Sequence, residues 1–443
     1  MEIVKIKDKI IKSPSDDELA NRWIVRFPDT IYGLGCFRRY KEGVWDEISS
    51  TQVQKEILNI LIEAKSEGVR PNSSRLNSVT EISRILTTIS NDNFDRGSNI
   101  IVFKNGTLHR CMSTTSINSM GIFLPHCKDD YITASLPYDY DPNAVPETWL
   151  KVLSRLSSEV VSFLQEYFGY CLTRETKHEI AIWLIGPAGC GKSSIIGGIQ
   201  AMAGPLAVQL SISDIERSKF ALPLIVGKNI IYSTEQFTFA PTNIDNVNKI
   251  VSGEFLMIEE KYEKPFNYLP YPKIFWASTE IPNIPPGDGF YRRFMVIKLP
   301  PLHLNEKDLD IKELIKQEGP GILNWALEGL TRLGNRGRFL IPQSVTSATD
   351  QCQAENNIIQ EFTESCCEIG AGYKIQTSHI YTVYCDWCLV KGHAFKSIKK
   401  IAKDWENLGF TKKQLNGLNY WVGMRLKSEF PLEKGERENI MFN

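Results

Sequence analysis

The residues of this sequence best suited to chemistry lie in the run IWLIGPAGCGKSS at 182–194. Four apolar residues predict a short buried strand, three glycines allow a tight turn, and an amphipathic helix follows, which fits the phosphate-binding pattern G-x-x-x-x-G-K-[ST]. Backbone N–H groups would hold the anion, Lys192 would reach the outer phosphates, and the Ser193 hydroxyl would ligate magnesium. The predicted nucleotide-binding residues are Gly186, Pro187, Ala188, Gly189, Cys190, Gly191, Lys192, Ser193 and Ser194.

Other reactive groups stand at the ends of apolar runs downstream. GKNIIYSTEQF predicts a second buried strand that ends near Glu235, where a carboxylate would polarise the attacking water and support the magnesium ion. KIFWASTEIP predicts a third strand that ends at Thr279, and DGFYRRFMVIKLP places Arg292 and Arg293 directly before a further apolar strand. Glu235 as a surface residue and the two arginines as solvated charges remain the alternatives.

These groups need a framework that brings strand ends together. From 204 to 300, apolar runs alternate with loops, which is typical of an α/β nucleotide-binding core. Before it, CFRRYKEGVWDEISS and NIIVFKNGTLHR predict hairpins, and TQVQKEILNILIEAKSEG predicts a helix ended by Gly68. A Pro- and Asp-rich segment, 136–147, indicates a domain boundary, and two predicted helices lead from it to the phosphate loop.

Composition limits the class of protein. The chain has 443 residues and a formal net charge of −1, so any nucleic-acid surface must be local. It has no run of eighteen apolar residues and its N-terminus has no apolar signal core, so we expect a soluble protein of the host cytosol without a membrane partner. Its ten scattered cysteines suit reduced thiols.

Two groups of residues in the sequence have the side-chain types that bind zinc. His109, Cys111, His126 and Cys127 lack a C-x-x-C knuckle, which disfavours zinc. Cys385 and Cys388 form a C-x-x-C pair near His393, but no second pair follows at the spacing of a zinc finger. The helical face that carries Cys388 is apolar, which is typical of core residues.

The order of the motifs is similar to that of superfamily 3 helicases, the compact hexameric AAA+ ATPases of viruses, phages and plasmids. The resemblance is greatest to the helicase half of phage and plasmid primase-helicases related to the poxvirus type, and it covers the chain from about residue 100. The segments that carry it, besides those quoted above, are LPYDYDP, FLQEYFGYCL, NKIVSGEFLMIEEKYEKPFNYLP and ILNWALEGLTRLGNRGRFLIP.

The resemblance implies an α/β fold: an AAA+ P-loop core with an N-terminal α+β and helical region and a C-terminal winged-helix-like domain. The implied domains are an N-terminal α+β region (1–145), a small helical unit (146–177), the ATPase core (178–302), a helical extension (303–350) and a basic winged-helix-like domain (351–443).

The resemblance also implies roles for residues. Lys192, Glu235, Thr279, Arg292 and Arg293 would be catalytic, with an arginine, Arg293 or Arg292, reaching the ATP of a neighbouring subunit. Ser193 and Glu235 would hold magnesium, and a hairpin between the second and third strands would bring Lys261 and Lys264 to DNA. Thr279 stands where the family usually has asparagine, and the second strand lacks the acid that often precedes the glutamate.

The C-terminal region is basic. From 374 to 427 the sequence has ten lysines and arginines against three acids, a local excess of seven positive charges. Two predicted helices and a predicted wing, LNGLNYWVGMRLK, suit duplex contact through Lys399, Lys400 and Lys403. A solvated face packed on the core is the alternative.

The expected function is an ATP- and Mg²⁺-dependent replicative DNA helicase of a phage, plasmid or viral element. It would act as a homo-hexamer on single-stranded and forked DNA, with a primase or polymerase on another chain or in an N-terminal part outside this sequence. An ATP-switched replication initiator or loader that unwinds little is the main alternative. A small-molecule kinase or unrelated P-loop NTPase is the other.

Overall fold

The computed structural model describes residues 13–95, 100–110, 121–234, 244–259, 265–279, 288–301, 311–391, 393 and 395–427. The described residues of the N-terminal part form three α-helices and two antiparallel three-stranded sheets. Its helices are α1 (Asp16–Arg26), α2 (Ser50–Glu63) and α3 (Ser73–Thr87). Its strands are β1 (Thr30–Gly33), β2 (Cys36–Lys41) and β3 (Val44–Ile48) in one sheet, and β4 (Ile100–Phe103), β5 (Gly106–His109) and β6 (Ile122–Leu124) in the other.

Two helices, α4 (Glu147–Leu153) and α5 (Ser158–Cys171), then lead into the central part of the chain. Its strands are β7 (Ala181–Ile185), β8 (Ala207–Gln209), β9 (Ile230–Ser233), β10 (Leu256–Ile258), β11 (Phe266–Tyr268), β12 (Lys273–Ser278) and β13 (Phe294–Lys298). Its helices are α6 (Lys192–Ala203), α7 (Ile212–Arg217), α8 (Asp245–Ser252), α9 (Asp288–Arg293), α10 (Ile311–Gln317), α11 (Gly319–Arg336) and α12 (Gln343–Cys366).

Five of these strands form one parallel sheet in the order β13-β7-β12-β9-β8. The strands are nearly continuous apolar runs, as expected when both faces of a parallel sheet are covered. Ile182 and Leu184 pack on the side of α5, α6 and α11, whereas Trp183 packs on the side of α7, α8 and α9. The core is therefore a mixed α/β structure with helices on both faces.

The helices before and after the sheet form one packed unit. The helices α5 and α11 approach so closely that a Cβ on Gly169 would lie 2.4 Å from Ala326 O, and one on Gly329 would lie 2.3 Å from Gln165 O. Beside this crossing, the buried Glu166 accepts hydrogen bonds from two arginines of α11, including Arg332 Nε at 2.7 Å. The two helical segments, separate in sequence, thus share a single core.

The C-terminal part combines a three-stranded antiparallel sheet with two helices. In chain order these are β14 (Cys367–Gln376), α13 (Thr377–Lys391), α14 (Ile398–Asn407), β15 (Thr411–Leu415) and β16 (Leu418–Leu426). The predicted wing is a hairpin of β15 and β16. The long helix α12 enters this part from the core and crosses the predicted boundary between residues 350 and 351.

The local predictions made from turn and helix signals are confirmed. The Glu42-Gly43 turn has positive φ at both residues, as a tight hairpin requires. The Asn105-Gly106 turn joins β4 to β5, and the α2 segment ends at Gly68 with φ +86° after a short 3₁₀ turn.

Among the described residues, no helix has both the length and the apolarity needed to cross a membrane.

Candidate functional site

The predicted phosphate loop joins β7 to α6 at the carboxyl end of β7, which lies between β13 and β12 in the sheet. Gly189 and Gly191 have φ of +78° and +85°, in the left-handed region that favours glycine. Gly191 is the N-cap of α6, and the loop residues from Pro187 to Gly189 are exposed. The turn therefore presents backbone N–H groups and a helix N-terminus to solvent, an arrangement suited to an anion.

Lys192 lies over this loop. Its Nζ donates to the carbonyl oxygens of Gly186, at 2.5 Å, and Pro187, at 2.9 Å. Carbonyl oxygens only partly compensate an ammonium charge, and no carboxylate among the described residues pairs with it. The Lys192 charge is thus available to a bound anion. The adjacent Ser193 is exposed, as a hydroxyl that reaches a metal ion must be.

The ends of the neighbouring strands lie beside the loop. Ser278, the last residue of β12, is opposite Ile185, and its carbonyl accepts from Gly186 N at 3.4 Å. The next residue, Thr279, is exposed at the same edge. Strand β9 lies on the other side of β12 and runs in the same direction, so its carboxyl end is at this edge too. Glu235 lies outside the described residues.

The two predicted finger arginines lie at the opposite edge of the sheet. They end α9 and precede Phe294, whose strand partner is Ala181 at the start of β7. The phosphate loop follows the other end of β7, roughly 13 Å away at 3.3 Å per strand residue. Arg293 is bonded within the chain to Glu179, Ser252 and the carbonyl of Gly289. Arg292 is exposed and has no hydrogen bond or ion pair with any described residue.

A residue that sequence reasoning did not single out also lies at the loop. A Cβ built on Gly191 would be 2.3 Å from Arg155 Nη2 and 2.6 Å from Arg155 Nη1, so the guanidinium covers the α-carbon of this glycine. Arg155 belongs to the short connection between α4 and α5. A lone arginine between two helices matches no motif, so only the folding of the chain reveals its proximity to the loop.

The predicted DNA contacts are spread over two places. The chain forms the expected antiparallel hairpin from β10 and β11, and its tip, with Lys261 and Lys264, lies outside the described residues. In the C-terminal part, Lys399 and Lys400 are exposed at the start of α14, while nothing is described of the Lys403 side chain. Neither group of lysines lies on the elements that form the phosphate loop.

The possible zinc residues have other partners where they are described. His126 Nδ1 is 3.1 Å from Thr107 Oγ1, and the His109 ring is 3.8 Å from Asp130. Cys388 is buried, and its carbonyl accepts from His393 N at 2.8 Å. Over the described ranges, no three His, Cys, Asp or Glu side chains are grouped so as to hold a metal ion.

Two family models match separate segments of the chain. Residues 20–158 match the model described as D5 N terminal like. Residues 184–293 match a family of unknown function, DUF5906, and this segment runs from β7 to the second arginine of α9. No curated protein matches the sequence.

Solved structures to which this chain is similar include three of the NrS-1 C-terminal region in apo form. The first, an A form, has a TM-score of 0.47 at 11% identity and covers 93% of this chain and 100% of that chain. A second A form and a further apo structure, both of residues 305–718, each have a TM-score of 0.48 at 11% identity. They cover 93% and 94% of this chain and 100% of their own. By sequence, this chain thus joins a D5 N terminal like segment to a DUF5906 segment that holds the phosphate loop.

Proposed function

We propose that this protein is an ATP-dependent DNA helicase that acts in the replication of a phage, plasmid or viral element. The observation that carries the proposal is the geometry around β7. A turn with two left-handed glycines, suited to phosphate, lies at one end of the strand, and the exposed Arg292 lies at the other end. The D5 N terminal like match and the order of motifs support the same conclusion.

The residues at the carboxyl edge fit a nucleotide with magnesium. The loop from Gly186 to Ser194 would hold the phosphates, Lys192 would neutralise their charge, and Ser193 with Glu235 would hold the ion. When bound, magnesium supplies further neutralisation of the phosphate charge. Thr279 would orient water or a phosphate oxygen through its hydroxyl. The parallel β7, β12 and β9 support these roles, because their carboxyl ends meet at this edge.

The position of the arginines supports an assembly. An arginine at the opposite edge of the sheet cannot serve the phosphates of its own subunit, but in a ring it can face those of a neighbour. The motif resemblance favours Arg293 for this role. The bonds of Arg293 within its own chain favour Arg292, whose donors are free among the described residues. We therefore assign the trans contact to Arg292 in a homo-oligomer, most simply a hexamer.

The DNA-binding role draws on separate groups of lysines. Lys261 and Lys264 would meet single-stranded DNA from the β10–β11 hairpin, since cations bind phosphates without regard to sequence. Lys399, Lys400 and Lys403 would meet the duplex at a fork through the basic C-terminal part, which we assign as a winged-helix-like domain of an AAA+ protein. The described helices α13 and α14 followed by a hairpin support this assignment.

An ATP-switched initiator or loader is the second candidate. Thr279 favours it, because a hydroxyl cannot offer the two donors of the amide that usually stands there. Such a protein would assemble with ATP, turn over slowly and respond little to DNA.

The decisive experiment measures ATP hydrolysis over a range of protein concentration, with and without single-stranded DNA. A ring helicase predicts that activity per subunit rises with concentration and with DNA. Turnover that depends on neither would contradict the proposal and favour a monomeric NTPase. Assembly with ATP but without DNA stimulation would favour the initiator.

Two variants test whether the measured ATP hydrolysis depends on the phosphate loop. Lys192→Ala should abolish turnover, because the loop loses its charge at the outer phosphates. Lys55→Ala is the matched control, since it removes an exposed lysine of α2 far from the loop in sequence. Strand separation on a forked DNA substrate then distinguishes unwinding from DNA-stimulated hydrolysis alone.

A further inference from the structure

Arg155 is an arginine whose charge has no partner in the described part of the chain. Its Nε and Nη2 are buried donors, and neither donates a hydrogen bond to any described residue. Its guanidinium covers Gly191, the N-cap of α6. Buried N–H donors are nearly always satisfied in folded proteins, so a buried unpaired guanidinium needs an explanation.

The surroundings of Arg155 make the isolation more costly. The N-terminus of α6 carries the positive end of the helix dipole, and Lys192 begins this helix. Burial lowers the pKa of Arg155, but a guanidinium stays protonated in proteins. The positive end of the α6 dipole, Lys192 and Arg155 thus lie around one loop. These positive charges repel one another unless a bound anion neutralises them.

The position of Arg155 is set by packing. Trp149 of α4 is fully buried against α6, and a Cβ on Gly198 would lie 2.5 Å from its ring. On the other side, the Ser157 side chain caps α5 by accepting from Val160 N. The connection between α4 and α5 is therefore held at both ends, and Arg155 is presented to the loop by a fixed backbone.

We propose that Arg155 is a nucleotide-binding residue that contacts the phosphates of a nucleoside di- or triphosphate in its own subunit. This inference rests on the proposed function of the phosphate loop and adds a contact from outside the motif. A guanidinium offers several donors in a fork that matches phosphate oxygens, so an anion would satisfy its orphaned N–H groups. Nucleotide binding would then also link α6 to the connection between α4 and α5.

The test compares nucleotide affinity with stability in the absence of nucleotide. Binding of fluorescent ATP and ADP analogues is measured for the wild type, Arg155→Ala, Arg155→Lys, Lys192→Ala and Lys151→Ala. Lys151→Ala is the matched control, because it removes an exposed positive charge from α4. All affinities are measured at a temperature at which circular dichroism shows each variant to be folded. Inorganic pyrophosphate is used as a competitor that lacks the base and sugar.

We expect Arg155→Ala to weaken nucleotide and pyrophosphate binding about 10- to 100-fold, as loss of a charge-assisted contact would. Its melting temperature without nucleotide should equal or exceed that of the wild type, because an uncompensated buried charge is removed. The nucleotide affinity of Arg155→Lys should lie between those of the wild type and Arg155→Ala, since lysine keeps the charge but lacks the forked donors of a guanidinium. Lys151→Ala should bind as the wild type does.

The results also separate this inference from the proposed function. If Lys192→Ala abolishes binding while Arg155→Ala binds within twofold of Lys151→Ala, the phosphate loop stands and the role of Arg155 is overturned. If Arg155→Ala loses nucleotide affinity but keeps full pyrophosphate affinity, a contact to phosphate is ruled out. A wild type that binds no nucleotide overturns both proposals.

Discussion

Arg293 is bonded to Glu179 of its own chain, with Arg293 Nη2 3.1 Å from Glu179 Oε2. The same guanidinium donates to Ser252 Oγ at 3.1 Å and to the Gly289 carbonyl at 3.0 Å. The residue before it, Arg292, is exposed. A finger that acts in trans needs free donors when the neighbouring subunit docks, so adjacent arginines at one edge of the sheet are suited to different tasks.

We expect Arg292→Ala to lower ATP turnover about 1,000-fold or more while nucleotide affinity stays near that of the wild type. Mixing this variant with Lys192→Ala should restore part of the activity, because a Lys192→Ala subunit still supplies the arginine that completes the intact phosphate loop of an Arg292→Ala neighbour. Steady-state ATPase assays over a series of mixing ratios of the two inactive variants measure this recovery. No recovery at any ratio would show that Arg292 does not act in trans.

We expect Arg293→Ala to lower the free energy of unfolding by about 1–2 kcal/mol, because several hydrogen bonds are lost at a side chain that is only 12% exposed, although its partner Glu179 is 46% exposed. Urea unfolding of Arg293→Ala, Glu179→Ala and the double variant measures the coupling between the two side chains. The coupling should be about 0.5–1 kcal/mol. Additive effects of the two substitutions would mean that the ion pair contributes nothing.

Two glycines of α11 should respond in opposite directions to alanine. A Cβ on Gly329 would meet the backbone of α5 at 2.3 Å, whereas one on Gly334 has no heavy atom within 4 Å. Gly329→Ala should therefore destabilise the protein by about 1–3 kcal/mol through overpacking. Gly334→Ala should stabilise it by about 0.5–1 kcal/mol, because alanine favours a helix interior. Thermal unfolding of both variants gives the comparison, and equal shifts would contradict the close crossing of α5 and α11.

Lys273 should make stability depend on pH. Burial lowers the pKa of Lys273 to about 7, and its Nζ donates to the carbonyls of Thr173 and Tyr271. Between pH 7 and the ordinary lysine pKa of 10.5, the unfolded chain holds a proton that the folded chain lacks. Stability therefore gains from this group as pH rises through that window, with a slope of up to about 1.4 kcal/mol per pH unit. Below pH 7 the contribution is constant.

The measurement is the difference in unfolding free energy between the wild type and Lys273→Met at several pH values from 6 to 10. The difference should change across the window, because the methionine variant has no titrating group there. Lys55→Met, at an exposed position of α2, is the control and should follow the wild type. Parallel curves for the wild type and Lys273→Met would refute the shifted pKa.

Lys399→Ala should weaken binding to duplex DNA about equally for different sequences. Each lost phosphate contact should reduce the slope of log affinity against log salt by about 1. Fluorescence anisotropy at several salt concentrations measures the slope, with Lys55→Ala as the control. ATP turnover without DNA should not change. An unaltered slope would show that this end of α14 does not contact DNA.

The sequence by itself determined the features that depend on neighbours along the chain. Patterns within about a dozen residues were enough to predict three kinds of feature: the loop with its glycines and Lys192, the Glu42-Gly43 turn, and the apolar strands β7, β9 and β12. Backbone preferences and hydrophobic periodicity act over such distances, so the glycine turn after β7 and the three strands are confirmed where they are described.

Only the tertiary structure decided which distant residues meet. Arg155 lies over Gly191, although these residues belong to different helical segments, and Arg293 pairs with Glu179 across 114 positions. The common core of α5 and α11 depends on glycines whose role appears only when the two backbones touch. Such contacts arise from packing and charge compensation in three dimensions, and no local pattern of residues encodes them.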